Sequence, residues 1–416
     1  MALNSGTMIS FQEAQKTIRE AVGGRRIESE CVPLAQSTGR VCAEDIFAPL
    51  TVPPFDNSAM DGYAVWVEDI AGASAKAPVG LSCKGAIVAG DPVPDTPVSR
   101  GSCVQIMTGA PVPSGALAVV PVELVKKTGE KIVFAAPVTE KANIRLAGED
   151  FKKGQIALPR SSLLSLSHIL PLAALGIGQV NVFRKPRVVF LSTGREVIDD
   201  LSAPLGPGQI YNSNGPYACA FLEALGAQVI KYATISDDPE HFRKTLVELE
   251  SLAPDLVVSS GAVSAGVYDF VCEGLVAGGA DILFHKVRIK PGKPVLVARL
   301  KCGALYFGLP GNPVATASGL RFFVEPALRT MQGRSPENPG HARLMNSYEK
   351  KSGLHMFLKG ETEGWEDGAW TVEVMKGQAS FVVNPFLRMN TWISVPEEKE
   401  RLKPGEIVEI FPLIPV

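Results

Sequence analysis

The first periodic stretch of the chain runs Phe11, Ala14, Ile18, Ala21, Val22, apolar positions at helical spacing. Ser10 and Glu13 ahead of it have the form of a capping box, and Gly23-Gly24 closes the predicted helix. From there to about residue 180 the texture changes. Short apolar runs such as CVQIM (103–107), LAVVPV (117–122) and KIVFAAPV (131–138) alternate with Pro and Gly turns, which predicts a β-rich region with long loops.

From Arg187 onward strands and helices alternate. RVVFLSTG, AQVIKYATI, DLVVSS, DILFHKVRI, VLVARL and ALYFGLP are strand-like. Between them lie the helical patterns YACAFLEALG (closed by Gly226), PEHFRKTLVELESL (opened by Pro239) and YDFVCEGLVAGG, with VATASGLRFFVEPALRTM last. Such alternation predicts an α/β domain with a parallel, doubly wound sheet. After about residue 331 the helical period disappears, and short β-like runs ending in VEIFPLIPV predict a small all-β C-terminal domain.

Composition narrows the class. The 416 residues exceed one ordinary domain, and 46% hydrophobic with 20% charged residues is the balance of a soluble globular protein. A net charge of -2 argues against a general nucleic-acid binder. The opening MALNSGTMISFQEAQ lacks the basic and apolar regions of a secretory signal. The most apolar stretch, Leu163 to Ile177, is too short and too interrupted to span a bilayer. Seven scattered cysteines without a CxxC spacing predict reduced, buried thiols, and hence a cytoplasmic protein. The five histidines are equally dispersed, so a bound metal would rest on carboxylates, which suits a hard ion such as Mg²⁺.

Ligands of open α/β sheets bind beyond the carboxyl ends of the strands. The residues expected there are Thr193, Gly194 and Glu196; Asp237 and Asp238; Ser260, Gly261, Ser264, Gly266 and Asp269; Lys286, Lys290 and Lys293; and Pro310, Gly311 and Asn312. Small-residue loops let an anion approach backbone N–H groups, carboxylates can hold Mg²⁺, and lysines neutralise oxyanions. Together they suggest chemistry on a phosphorylated substrate with a hard metal. Each has a plainer alternative. Asp238, before Pro239, reads as a helix N-cap, and Asp269 could be one too. Lys290 and Lys293 could be solvated turn residues, and Gly311 could serve a tight turn. No phosphate-binding P-loop motif is present.

Two further stretches stand out in the N-terminal half. PPFDNSAMDGYAV (53–65) carries Asp56 and Asp61 without a basic residue, with Gly62 expected to supply an unusual backbone angle. NIRLAGED (143–150) places Arg145 where it could contact an anion, pair with an acid or sit on a charged surface turn.

With MTGAPVPSGA (107–116), STGRE (192–196), SSGAVSAGVYDF (259–270), KVRIKPGKPVLVA (286–298) and GLPGNPVA (308–315), these stretches resemble the MoeA family of molybdopterin molybdenumtransferases, which includes the gephyrin E domain. The resemblance implies an elongated homodimer that takes adenylated molybdopterin and molybdate, releases AMP with Mg²⁺, and leaves molybdenum on the dithiolene. Other molybdenum cofactor biosynthesis proteins are possible partners. The division it implies is a β-rich linking domain (25–48, 152–181), a β-rich insert (49–151), an α/β domain like the molybdopterin adenylyltransferases (8–24, 182–330) and the C-terminal β domain (331–416).

By motif, Asp61 and Asp150 would reach the cleft from the partner chain, with Thr108 and Arg145 nearby. Glu196, Asp237 and Asp269 would line the α/β side, and Lys286 and Lys290 would face phosphate or molybdate. The metal ligands would come from Asp61, Asp150, Glu196, Asp237 and Asp269. Ser260, Gly261, Ser264 and Gly266 would cradle the substrate, and Thr193, Gly194, Pro310, Gly311 and Asn312 would also bind it. The chain departs from the pattern at Arg195, where an acid is usual, and at Ala262, where Gly is usual and only a methyl is added. Leu354 and Lys359 replace arginines, and RMNTW replaces an ANG-like segment. An adenylyltransferase-like activity and a non-catalytic scaffold are the competing expectations.

Overall fold

The structure, a computed structural model, describes residues 8–415 apart from 24–26, 96, 263–269, 352 and 367. The chain forms two compact units, one of residues 1–30, 39–43 and 182–416 and a second of residues 31–38 and 44–181.

The second unit is built on a six-stranded sheet in the order Ala118–Pro121, Gly62–Val65, Ser102–Ile106, Val79–Ile87, Lys131–Phe134, Val125–Thr128. Alternation sends Tyr63 and Val65 into a cluster with Leu81 and Phe134, and Ala64 into another with Ile106 and Val119. Gly62 is needed for a different reason than an unusual angle: its φ is not positive, but a Cβ there would overlap the Val120 carbonyl of the neighbouring strand. The region also contains a helix, Leu166–Ala174, within the stretch expected to be strands and loops. His168 Nδ1 accepts the Ser165 N–H at 2.9 Å and closes its first turn, a capping device that the Ser-x-x-Glu pattern does not reveal.

In the first unit a six-stranded sheet runs Gln228–Ile235, Arg187–Thr193, Leu256–Ser260, Leu305–Leu309, Leu296–Arg299, Asp281–His285. The first four strands are parallel, and Leu296–Arg299 runs antiparallel to both neighbours. Residues 300–304 are too few for a crossover helix, so that connection has to be a hairpin. The α/β class stands, with one reversed strand near one edge. The parallel strands are apolar without alternation because helices cover both faces. Phe242, Leu246 and Leu249 of the helix Pro239–Ser251 and Val271 and Leu275 of Phe270–Ala277 pack against Val189, Leu191 and Val257.

The N-terminal helix Phe11–Val22 has the expected capping box, and Phe11 stacks edge-on against Phe322, Phe323 and Phe357. Phe357 belongs to the C-terminal sheet. There Gly340–Leu344, His355–Glu366, Ala369–Val374, Thr391–Val395 and Ile407–Pro412 close on themselves through pairing of the second with the fourth. A short strand of the α/β segment, Ile289–Lys290, joins the same sheet beside His355 and Met356.

The cysteines form no disulfides, but only Cys42 and Cys103 are buried; Cys83, Cys219 and Cys272 are half-buried, and Cys31 and Cys302 are exposed. Among the described residues no helix is long and apolar enough to cross a membrane.

Candidate active site

The strand Arg187–Thr193 ends in Gly194, whose φ of 141° and close neighbours exclude a side chain: a Cβ would lie 3.0 Å from both Glu196 carboxylate oxygens. Gly194 therefore lets Glu196 fold back over the strand end. The strap carrying Glu196 is secured by Ile210 N–H to Glu196 O and Asn212 N–H to Ile198 O, both 2.8 Å.

Beyond the next strand, Asp237 and Asp238 part company. Asp238 is the N-cap of Pro239–Ser251 and accepts the Glu240 N–H at 2.8 Å and the His241 N–H at 3.3 Å. Those N–H groups hold its carboxyl below the usual range. Asp237 faces the cavity. Burial, then the charge of Glu196, push its carboxyl up, partly offset by the Arg195 N–H and guanidinium. A half-buried carboxyl whose ionisation a neighbouring carboxylate opposes suits a cation-binding position.

The strand Leu256–Ser260 ends in Ser260, Gly261 and Ala262. Gly261, at φ 104°, leaves no room for a Cβ against Thr193. Ala262 sits at φ 51°, so its methyl carries backbone strain and is more than a neutral addition. Ala262→Gly is expected to stabilise the protein by about 0.5–1 kcal/mol, the strain relieved less the entropy returned to the unfolded chain. Chemical denaturation of the two proteins checks this. Ser264, Gly266 and Asp269 lie outside the described residues.

Asn214, the first residue of the helix Asn214–Ala224, ties two strand ends together. Its Nδ2 donates to Ser260 Oγ at 2.6 Å and to Gly311 O at 2.8 Å. Thr316 Oγ1 donates to Pro310 O at 2.7 Å and lies 3.2 Å from Ser260 Oγ. Gly311 has no positive φ; a Cβ there would make ordinary contact with Gly261 Cα at 3.4 Å. It marks a close approach of two loops rather than a turn that requires glycine.

These elements enclose a cavity of about 970 Å³. Thr193, Gly194, Glu196, Asp237, Ser260, Gly261, Lys290, Pro310, Gly311 and Asn312 line it, as does Lys293. Lys290 is held there by the pairing of Ile289–Lys290 with the C-terminal sheet. Lys286 is not among the lining residues; its backbone accepts the Ile9 N–H at 3.3 Å and donates to Val295 O at 2.9 Å. The sequence reasoning noted Leu354 only as a departure from the family pattern and missed Asn214, Gln378, Ser380 and Phe381, which together complete the wall. Asn214 follows the segment QIYNS, where a helix-capping residue type was the only available signal.

In the second unit three separated motifs converge. Ile144 and Arg145 pair with Ser58 and Asn57, Gly109 N–H donates to Ser58 O at 2.8 Å, and Ala147 N–H donates to Asp56 Oδ1 at 2.8 Å. Asp61 accepts the Thr108 N–H at 2.7 Å and its hydroxyl at 2.8 Å, which hold the Asp61 carboxyl below the usual range. Asp61, Arg145 and Asp150 are exposed.

Among the described residues no group of three His, Cys, Asp or Glu side chains is placed to hold a metal. Among the described residues Glu196 and Asp237 are the carboxylates on the cavity, and two such ligands suit a hard ion that keeps several waters.

Family models match the chain in three consecutive regions. They are "MoeA N-terminal region (domain I and II)" over residues 9–176, "Probable molybdopterin binding domain" over 189–330, and "MoeA C-terminal region (domain IV)" over 341–413. A protein of Synechococcus elongatus named molybdopterin molybdenumtransferase is 34% identical over 404 residues, covering 97% of this chain and 99% of its own. One of the same name from Haemophilus influenzae is 36% identical over 389 residues, covering 92% and 94%. The crystal structure of a molybdopterin biosynthesis MoeA protein from Pyrococcus horikoshii is 31% identical, with a TM-score of 0.83 over 97% of this chain and 99% of that one. Sequence likeness, fold and the order of the three regions agree along the whole chain, which belongs to the MoeA family.

Proposed function

We propose that the protein is a molybdopterin molybdenumtransferase, which takes adenylated molybdopterin and molybdate, releases AMP and leaves molybdenum on the dithiolene. The observation that carries this reading is one cavity holding both a carboxylate pair, Glu196 and Asp237, and two lysines, Lys290 and Lys293. Relatives bearing that name match over nearly the full chain.

The residues divide the work. Lys290 and Lys293 are exposed point charges that draw in and orient phosphate or molybdate oxygens. Ser260 and Gly261 offer a small-residue floor against which a bulky anion can lie close to the backbone. Glu196 and Asp237 would hold Mg²⁺, which when bound supplies Lewis-acid stabilisation of charge on the phosphoanhydride. Asn214 fixes the Ser260 and Gly311 loops, so the floor is formed before substrate arrives.

The finer parts of the reading are a cytoplasmic homodimer, Mg²⁺ dependence, and Asp61 and Asp150 delivered to the cavity by the partner subunit. The exposure of Asp61 and Asp150 supports the last, because a side chain must be accessible to reach a cavity of another subunit. The test is incubation of the purified protein with adenylated molybdopterin, molybdate and Mg²⁺. AMP release that needs Mg²⁺ and is accelerated by molybdate is expected. In a parallel incubation with non-adenylated molybdopterin, ATP and Mg²⁺, formation of the adenylate without its consumption would establish the adenylyltransferase reaction instead.

A further inference from the structure

The cavity is chemically divided. Its cations come from residues 289–294, whereas its C-terminal wall, among the described residues, carries no charged side chain and presents Leu354, Gln378, Ser380 and Phe381. Phe381 is 70% exposed, an unusual state for a phenyl ring. A single exposed ring on a loose loop would mean little. This loop is anchored on both sides of Phe381. The Gln378 side chain accepts the Lys359 N–H and donates to Lys359 O, both 2.9 Å. Ser380 O accepts the Val314 N–H at 3.0 Å. Lys359, 1% exposed, donates through Nζ to Ala379 O at 3.2 Å and Val382 O at 2.9 Å, the carbonyls on either side of Ser380 and Phe381. A long side chain has been buried, with its ammonium pulled down to about 8 by that burial, to fix two carbonyls of one loop. Tyr211, on another wall of the cavity, is 40% exposed and likewise anchored, its hydroxyl donating to Ala203 O at 2.8 Å.

We propose that Phe381 is the stacking platform for a planar nitrogen heterocycle of the substrate, held in position by Lys359, while Lys290 and Lys293 take the phosphates. The inference rests on the reading of the cavity as the site for adenylated molybdopterin, and it adds where the ring binds. An exposed phenyl face on an anchored backbone offers stacking at a reduced ordering cost, and the apolar Leu354 on the same cavity wall favours a neutral ring over an oxyanion. The adenine and the pterin are the two rings that can occupy it.

The experiment measures binding and turnover separately. Equilibrium binding of AMP alone and of non-adenylated molybdopterin alone is compared for wild type, Phe381→Ala and Phe381→Trp. One of the two ligands is expected to bind about tenfold or more weakly to Phe381→Ala and near normally to Phe381→Trp, and which one it is identifies the ring. In AMP release, Phe381→Ala should raise KM for adenylated molybdopterin by a similar factor, with kcat and the molybdate dependence unchanged. Lys359→Met should reproduce that rise with Phe381 still present, and Lys359→Arg should largely restore KM. Affinities for both ligands within twofold of wild type in Phe381→Ala, or no binding of either ligand by the wild type, would overturn the proposal. Loss limited to AMP release in the wild type, with ring binding intact, would count against the catalytic reading and leave the stacking platform standing.

Discussion

Asp237→Asn is expected to lower Mg²⁺-dependent AMP release by about two or more orders of magnitude, with the melting temperature unchanged or slightly raised. The two halves of this result have one cause. In the folded protein the Asp237 carboxyl is pushed up by burial and by Glu196, so its ionised form is less comfortable there than in the unfolded chain. A group with a raised folded value contributes stability at low pH that is lost as pH rises through that value. At neutral pH the charge is therefore held against a stability cost, and a neutral isostere removes the cost along with the function.

The adjacent acid gives the opposite phenotype. Asp238→Ala leaves turnover largely intact and lowers the melting temperature by about 2–4 °C, because two N–H groups of the helix lose their acceptor. Its carboxyl is held low, so the stabilisation is present above the ordinary carboxylate range and fades as pH falls through the lowered value. The gap between wild type and Asp238→Ala should narrow in acid. Melting curves and AMP release for both variants decide the matter, and exchanged phenotypes would reverse the assignment of ligand and cap.

The second large effect is recovery of activity from two inactive proteins. Asp61→Ala and Asp237→Ala should each be nearly inactive. In a mixed dimer with sites composed across subunits, one cavity pairs an intact Asp237 with an intact Asp61 from the partner, and the other lacks both. Random exchange makes half the dimers mixed, so about a quarter of wild-type activity should return under closed twofold symmetry. Tagged subunits verify that exchange has occurred. Exchange without recovery would refute the shared site.

Much of the α/β architecture was legible because it depends on local pattern. A short apolar run such as RVVFLST, rich in β-branched residues and closed by a Gly turn, reads as a buried strand, and Pro239 preceded by Asp238 specifies a helix start without reference to any distant residue. The reversed strand Leu296–Arg299 was also implicit in the short connection after it, although strand-like runs alone do not state direction. The family motifs likewise marked most of the cavity lining.

What the tertiary structure decided is what depends on approach between distant segments. Gly62 is required by the Val120 carbonyl and Gly261 by Thr193, contacts that no local angle preference records. Glu196 and Asp237 become a pair only when two strand ends lie side by side, and the coupling of their charges falls off with a distance the sequence does not contain. Lys359, an isolated cation in an apolar run, proves to be the fastener of a loop on the cavity wall. The sequence by itself determined which elements form and which chemical groups the protein has to work with. Their meeting at one cavity was decided by packing, since burial and electrostatic interaction act through space and not along the chain.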